Sequence, residues 1–287
     1  MTKNPPAEKI YGVLGFPAKH SLSPLMHNAA FRALGINAEY KIFEKRPEEL
    51  ADFLASLSEK SIYGLNVTVP YKEKVISFMD KLSLETRLIG AVNTVKVLNN
   101  KLEGFNTDGE GFLRHLSEGI KFNPQGKVIA IIGAGGAARA VCVSLSQKHP
   151  KVIFIYDIDK PKAQALVEHL QNNFEDVDFK AVDSIAGLNI NKSGLLVNAS
   201  PIGMKESDPC LVDKELLNGG LLVYDLIYNP AETKLLKYAK DKGAKTSNGL
   251  GMLLSQGAIS FKIWTKEDAP EEIMRQALEE GLKKWQS

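Results

Sequence analysis

Gly133, Gly135 and Ala138 stand at the spacing G-x-G-x-x-[G/A], the pattern in which a strand runs into a glycine turn and then a helix whose positive end holds a pyrophosphate. Lys127-Val-Ile-Ala-Ile-Ile132 before it reads as a short buried strand, and the apolar stretch after it as a helix to about Gln147. A second β-like run, Lys151–Tyr156, ends at Asp157, about 20 residues past the last glycine, where a carboxylate can accept hydrogen bonds from adenosine ribose hydroxyls. These residues point to a dinucleotide site at Gly133, Ala134, Gly135, Gly136, Ala137, Ala138 and Asp157. The competing reading is a glycine turn that only packs helix on strand, with Asp157 a solvated strand-end charge. A carboxylate there favours NAD, because a 2′-phosphate would meet a like charge. Lys160 and Lys162 are near enough in sequence to partner a phosphate, which keeps NADP open.

Three further segments carry polar groups at strand ends. Ser21 and Ser23, at i and i+2 ahead of Pro24, suit an anionic carboxylate beside helix-start amides; equally, Ser23 reads as an N-cap before a proline in the first turn. Asn66, Thr68 and Lys72 lie at and beyond the C-terminal end of a strand, the end at which open α/β sheets bind ligands, although Lys72 also reads as a surface lysine. Asn93 and Thr94, then Asn106-Thr107-Asp108, raise the same choice, Asp108 being a candidate N-cap for a helix over Gly111–Glu118. The histidines at 20, 27, 115, 149 and 169 show no ligand spacing, so no metal site is expected. No G-x-S-x-G elbow is present.

The elements that must position these groups alternate between strand and helix. Strands are expected at Ile10–Gly15, Ala38–Phe43, Ile62–Thr68 and Ala91–Val97, with helices opened by Pro24 (apolar face His27, Phe31, Leu34) and by Arg46-Pro47-Glu48-Glu49. Asn99-Asn100 reads as the tight turn of an antiparallel hairpin. Beyond the glycine motif, β-like runs fall at Asp178–Val182, Leu195–Asn198, Leu221–Asp225 and Ala244–Thr246, and two helices close the chain at Leu250–Trp264 and Glu271–Trp285. The class is α/β in two domains: residues 1–105, completed by helices within 248–287, form a substrate domain with a mainly parallel sheet, and residues 106–247 a Rossmann-like doubly wound dinucleotide domain. A length of 287 residues agrees with two cores.

Composition narrows the partners. A net charge of +2 with 24% charged residues excludes a polyanion binder. Two cysteines, Cys142 and Cys210, cannot make a disulfide framework or a zinc site. Met1–Pro6 has no apolar run behind Lys3, and no later stretch approaches the ~18–20 apolar residues of a membrane span. A cytoplasmic location is expected, with a small-molecule substrate, no nucleic acid and no membrane.

Taken together, His20-Ser21-Leu22-Ser23-Pro24 with His27-Asn28, Asn66–Lys72, Gly90-Ala-Val-Asn-Thr94, Asn106-Thr107-Asp108, Gly133–Ala138, Asn198-Ala-Ser-Pro-Ile-Gly-Met204, Tyr224-Asp225 with Tyr228-Asn229-Pro230, and Gly251–Ala258 resemble the shikimate dehydrogenase family along nearly the whole chain. The resemblance implies reversible NAD(P)H-dependent reduction of 3-dehydroshikimate to shikimate, on the chorismate route to aromatic amino acids, in a cleft between two domains. It implies that Ser21 and Ser23 hold the substrate carboxylate, that Lys72, Asn93 and Asp108 surround the ring hydroxyls, and that Asn66, Thr68 and Gln256 complete the pocket. Lys72 and Asp108 become the catalytic pair, passing a proton to the carbonyl oxygen as hydride arrives. The resemblance puts Ala199, Ser200, Met204, Leu226, Tyr228 and Gly251 near the nicotinamide half, with Tyr228 counted among the substrate-binding residues as well. The sequence departs from the family where NADP-dependent members commonly carry Asn-Arg-Thr, having Tyr156-Asp157-Ile158-Asp159 instead; the missing arginine resembles the quinate/shikimate branch, some members of which use NAD. Asn198-Ala-Ser-Pro likewise replaces the commoner Asn-Ala-Thr-Ser. Against quinate, Ser23 in place of threonine fits shikimate. The family includes monomers and homodimers. A reading of another class is a non-catalytic nucleotide-binding regulator with the same fold, against which intact Lys72 and Asp108 count.

Overall fold

The computed structural model describes residues 8–286, so Met1–Pro6 lies outside the described residues. The chain divides into two compact units, one formed by the chain up to Thr107 together with Leu253 onward, the other by Asp108–Met252. These limits differ by a few residues from those drawn at 105 and 247. The Thr107 amide bonds the Asn93 side chain at 2.7 Å and stays with the first unit. Gly251, pressed against the His115 ring, keeps the first turn of the next helix in the second.

The first unit holds β1 (Lys9–Gly15), α1 (Ser23–Ala33), β2 (Ala38–Glu44), α2 (Leu50–Ala55), β3 (Ile62–Val67), β4 (Lys81–Leu82), α3 (Leu84–Ile89), β5 (Thr94–Leu98) and β6 (Lys101–Phe105). They build one sheet in the order β2-β1-β3-β5-β6-β4. β1 pairs in parallel with β2 and β3, and β5 runs antiparallel to β3 and β6. One face packs Leu14, Phe53, Leu65, Val67, Tyr71 and Val95; on the other, Tyr11 and Phe31 meet Phe261 and Trp264 of the C-terminal helices. β1 is buried on both faces, as a central parallel strand must be. The β5–β6 turn is Asn99-Asn100, both at positive φ, the geometry that matches strand twist.

The second unit holds α4 (Asp108–Arg114), a π-helical turn over His115–Gly119, β7 (Val128–Ile132), α5 (Gly136–Ser146), β8 (Val152–Tyr156), α6 (Lys160–Gln171), β9 (Asp178–Ala181), β10 (Leu195–Asn198), β11 (Leu222–Asp225), α7 (Lys234–Asp241) and β12 (Lys245–Ser247). Its sheet runs β12-β11-β10-β7-β8-β9, every pair parallel. The winding reverses between β7 and β10, so the crevice outside Ile132 and Asn198 is the topological switch point where open sheets bind ligands. α8 (Leu250–Thr265) starts in this unit, and α9 (Glu271–Gln286) packs on α1 in the first. Among the described residues no helix is long and apolar enough to cross a membrane.

Several local expectations are corrected. The strand drawn from Ala91 begins at Thr94, because Val92 and Asn93 turn their amides to Lys72 and Phe105. β4 was not anticipated; two residues carry no alternation to read. The helix placed at Gly111–Glu118 starts at Asp108, which is its first residue rather than its cap, and widens into the π turn at His115. Leu22, not Ser23, caps α1, and Leu34 lies past the helix end, 43% exposed instead of facing the core.

Candidate functional site

The glycine loop is shaped by its neighbours in the sheet. Gly133 donates its amide to the Tyr156 carbonyl at 2.7 Å and has φ +109, a conformation L side chains rarely adopt. A Cβ there would lie 2.9 Å from the Ala199 carbonyl oxygen, so the loops after β7 and β10 touch backbone to backbone. Gly135 is the N-cap of α5 with no side-chain cap, and nothing lies within 4 Å of where its Cβ would be. The first amides of α5 therefore face open space with no intrahelical acceptor. That cradle fits a pyrophosphate, since a side chain at Gly135 would fill it.

Asp157 is locked to this loop. Its Oδ2 accepts the Ala134 amide at 2.7 Å and its Oδ1 the Asp159 amide at 2.8 Å. The strand-end carboxylate is thus fixed in place and does not swing freely in solvent. Lys160 and Lys162 are paired with Asp183 and Asp159, at 2.8 and 3.1 Å.

The neighbouring loops hang on Asp225, buried at the end of β11. It accepts from Asn198 Nδ2 (3.0 Å), the Ile227 amide (3.1 Å) and Thr233 Oγ1 (2.7 Å). Burial pushes its carboxyl up to about 6 against the three donors. Through Asn198, whose Oδ1 accepts both the amide and the hydroxyl of Ser200, it fixes the Ala199–Ser200 turn. The Leu226 amide bonds the Asn198 carbonyl at 2.9 Å. Met204 is 55% exposed. Gly251 approaches the His115 ring so closely that a Cβ would lie 2.2 Å from Nε2, and His115 Nδ1 is 2.6 Å from the Tyr224 hydroxyl. Tyr228 is half-buried, in the loop after β11.

In the first unit, the β1–α1 loop is held from β2. Glu44 Oε1 accepts the amides of Ala18 and Lys19 at 2.8 and 3.1 Å, and these bonds hold its carboxyl below the usual range. The turn continues with the Ser21 amide on the Ala18 carbonyl, and Ser21 Oγ accepts the Ser23 amide at 3.2 Å. A hydroxyl that accepts from the backbone keeps its proton to donate outward. Ser23 is buried at the start of α1. Thr68 bonds the Leu14 carbonyl through its amide and crosses Gly15, where a Cβ would lie 2.4 Å from its methyl.

Below this loop lies a buried polar network. The Tyr40 hydroxyl donates to Asn66 Oδ1 at 2.7 Å, and Asn66 Nδ2 reaches Thr94 Oγ1 (3.2 Å) and Ser260 Oγ (3.0 Å). Asn93 Nδ2 donates to Thr107 Oγ1 (2.9 Å) and Gln256 Oε1 (3.2 Å), while its Oδ1 accepts the Thr107 amide. His27 stacks on Tyr40, ring centroids 4.5 Å apart, and burial pushes its imidazole down to about 3, so the ring is neutral. The Val92 amide donates to the Lys72 carbonyl at 2.7 Å. A short bonded path therefore runs from Lys72 through Val92 and Asn93 to Thr107, and Asp108 follows next in the chain. Spacing alone could not connect positions 72 and 107; this path links them within the first unit.

The structure thus gathers Ser21 with Ser23, and Asn66 with Asn93 and Gln256, in the first unit. Gly133–Ala138, Asp157, Ala199, Ser200 and Leu226 share the second, and Asp108 opens it. Sequence reasoning missed Tyr40, Glu44 and Ser260 as site-supporting groups, and it named Thr107 and Asp225 within motifs without giving either a role. Ser260 carried a faint signal: it lies one turn from Gln256 on a largely apolar helix. Among the described residues no group of three His, Cys, Asp or Glu could hold a metal ion.

Residues 13–95 match the family model described as shikimate dehydrogenase substrate binding domain, and residues 249–279 that of the shikimate 5′-dehydrogenase C-terminal domain. The chain is 45% identical over 281 residues to a protein of Methanopyrus kandleri named shikimate dehydrogenase (NADP(+)), covering 96% of each. Its fold superposes on the shikimate dehydrogenase of Aquifex aeolicus with a TM-score of 0.88 at 40% identity, covering 96% of this chain and 99% of the other. A Listeria monocytogenes shikimate 5-dehydrogenase solved with shikimate and NAD gives 0.85 at 35%, covering 97% and 99%.

Proposed function

We propose, from the premise that the chain belongs to the shikimate dehydrogenase family, that it interconverts shikimate and 3-dehydroshikimate with a nicotinamide dinucleotide, on the route to chorismate and the aromatic amino acids. The bonded path from Lys72 through Asn93 to Thr107 and Asp108 is the observation that supports it best. The dinucleotide, when bound at Gly133–Ala138, supplies the acceptor or donor of hydride. In that reading Ser21 donates its remaining proton to the substrate carboxylate, joined there by Ser23. Lys72 carries the proton to and from the reacting oxygen, with Asp108 orienting its ammonium. Asn66, Asn93 and Gln256 hold ring hydroxyls, Thr68 closes the pocket, and Tyr228 borders it. Ala199, Ser200, Met204, Leu226 and Gly251 shape the nicotinamide side. Both cysteines are free thiols, which suits a cytoplasmic protein.

For the cofactor we infer NAD. The Asp157 carboxylate, held by two backbone amides, presents negative charge where a 2′-phosphate would sit. The two nearby lysines are already shared with carboxylates.

The test is a two-by-two set of initial rates, shikimate or quinate with NAD or NADP, read as kcat/KM. Shikimate with NAD is expected to lead by about tenfold or more in each comparison, one residue-scale electrostatic difference. Preference for NADP overturns the cofactor inference and leaves the reaction; no turnover of shikimate overturns the reaction. In Lys72→Met, kcat is expected to fall by ~10²–10⁴ while shikimate still binds, and unchanged kcat would remove Lys72 from the chemistry.

A further inference from the structure

Ser260, on α8, is fully buried, and four groups meet its hydroxyl: Thr94 Oγ1 at 2.8 Å, Asn66 Nδ2 at 3.0 Å, the Gln256 carbonyl at 3.0 Å and Thr107 Oγ1 at 3.1 Å. A hydroxyl offers one proton and two lone pairs. The Gln256 carbonyl can only accept, and Thr94, whose own proton goes to Asn93 Oδ1, accepts here too, so these two share the Ser260 proton. Asn66 Nδ2 can only donate, so it fills one lone pair, and the second is left for the hydroxyl proton of Thr107.

This bookkeeping has a directional result. Asn66 also meets the Tyr40 hydroxyl, a group able to donate or accept, so Tyr40 alone does not decide which end of the amide faces which neighbour. Ser260, its own proton committed, accepts only, and together with the Asn93 carbonyl, which Nδ2 meets at a longer 3.3 Å, it turns the NH₂ of Asn66 inward and the carbonyl toward Tyr40. The same oxygen ties Thr107, partner of Asn93 Nδ2, and Thr94, whose hydroxyl donates to Asn93 Oδ1 at 3.0 Å. We propose that Ser260 is a positioning residue whose hydroxyl, the nearest of the acceptors that hold the Asn66 NH₂, sets the spacing of Asn66, Asn93 and Gln256, and thereby the affinity for the substrate's ring hydroxyls. The proposal rests on the shikimate reading above.

The experiment compares the full chain with Ser260→Ala, Asn66→Ala and the double variant, measuring kcat and both KM values with shikimate and NAD. Ser260→Ala is expected to raise KM for shikimate about tenfold, as loss of a buried hydrogen-bond partner does. KM for NAD stays within about twofold and kcat within about threefold, because nothing at the hydride path changes. In the double variant the two effects on shikimate KM are expected to overlap rather than multiply, since they act through one contact. If Ser260→Ala does not fold by circular dichroism, Ser260→Cys, similar in shape and a poor acceptor, takes its place. An unchanged shikimate KM, an equal rise in both KM values, or full multiplicativity overturns the proposal. NADP takes the place of NAD in the assay where the unaltered chain prefers it, and failure of that chain to turn over shikimate with either dinucleotide overturns the reading beneath it, and the proposal with it.

Discussion

Replacing Asp225 with asparagine is expected to abolish a loss of stability that the unaltered chain shows as pH rises from about 4 to about 6. The carboxyl is buried at the end of β11 and pushed from 3.8 up to about 6, with burial outweighing the donors Thr233, Ile227 and Asn198. Its pKa is therefore higher in the folded than in the unfolded chain. Within that window the folded protein keeps a proton the unfolded chain has released, so stability is fully present below 3.8 and lost as pH rises through 6. A shift of about two units at about 1.4 kcal/mol per unit amounts to about 3 kcal/mol. The groups around the carboxyl add no competing titration there. The Cys210 thiol is pushed up by its own burial and stays neutral, and Lys234 spends its ammonium on the Asp208 carbonyl. Urea unfolding followed by circular dichroism from pH 3.5 to 7.5, in the unaltered chain and in Asp225→Asn, measures the difference with every other titrating group in common. That difference is expected to move against the unaltered chain by about 3 kcal/mol over the window and to be flat above it. A difference that is flat throughout, or one that rises with pH, would show that the three donors outweigh burial and would refute the reasoning.

The two glycines of the dinucleotide loop are expected to respond differently to alanine. Gly133→Ala meets both a left-handed φ and the Ala199 carbonyl at 2.9 Å, and should cost about 2 kcal/mol or more, seen as a fall of several degrees in Tm; Gly135→Ala meets nothing and should leave Tm within about 1 °C while raising KM for NAD at least about tenfold, since its methyl sits where the pyrophosphate approaches. An unchanged KM in Gly135→Ala would detach the cradle from the cofactor. Glu44→Ala frees the Ala18 and Lys19 amides and is expected to raise KM for shikimate by about three- to tenfold with kcat unchanged, Glu44→Gln recovering most of it because one acceptor oxygen remains; equal effects of the two substitutions would deny the loop-holding role.

What the sequence made legible was local. The glycine loop could be read because strand, turn and helix are contiguous, and the β5–β6 hairpin because two asparagines at its tip allow positive φ. The order of the second sheet followed from strands alternating with helices once a pyrophosphate loop marked its first strand. The polar network was not legible, because its bonds join residues as far apart as Asn66 and Ser260, and nothing in a serine of a largely apolar helix says which strand it will face. Ser23 was misread for a different reason. A proline in the first turn suits either of two starting positions, and the backbone chose Leu22 as cap, so Ser23 lies inside the helix with its own amide held by the Ser21 hydroxyl. Asp157 was placed correctly at a strand end, but its partner Ala134 depends on the pairing of Ile132 with Tyr156 across β7 and β8, a register the residues themselves do not spell.

That last bond changes what Asp157 can be in the cofactor site. A solvated strand-end aspartate could rotate away from an incoming phosphate at little cost. One whose two oxygens are each held by a backbone amide cannot do so without leaving two donors unsatisfied, each worth about 1 kcal/mol or more. The same bond ties the charge to Ala134, the residue between the two glycines that shape the cradle. Moving the carboxylate therefore disturbs the glycine loop as well as the strand end, and in the reading proposed above the affinity for a dinucleotide and the preference at its ribose are coupled through that one hydrogen bond.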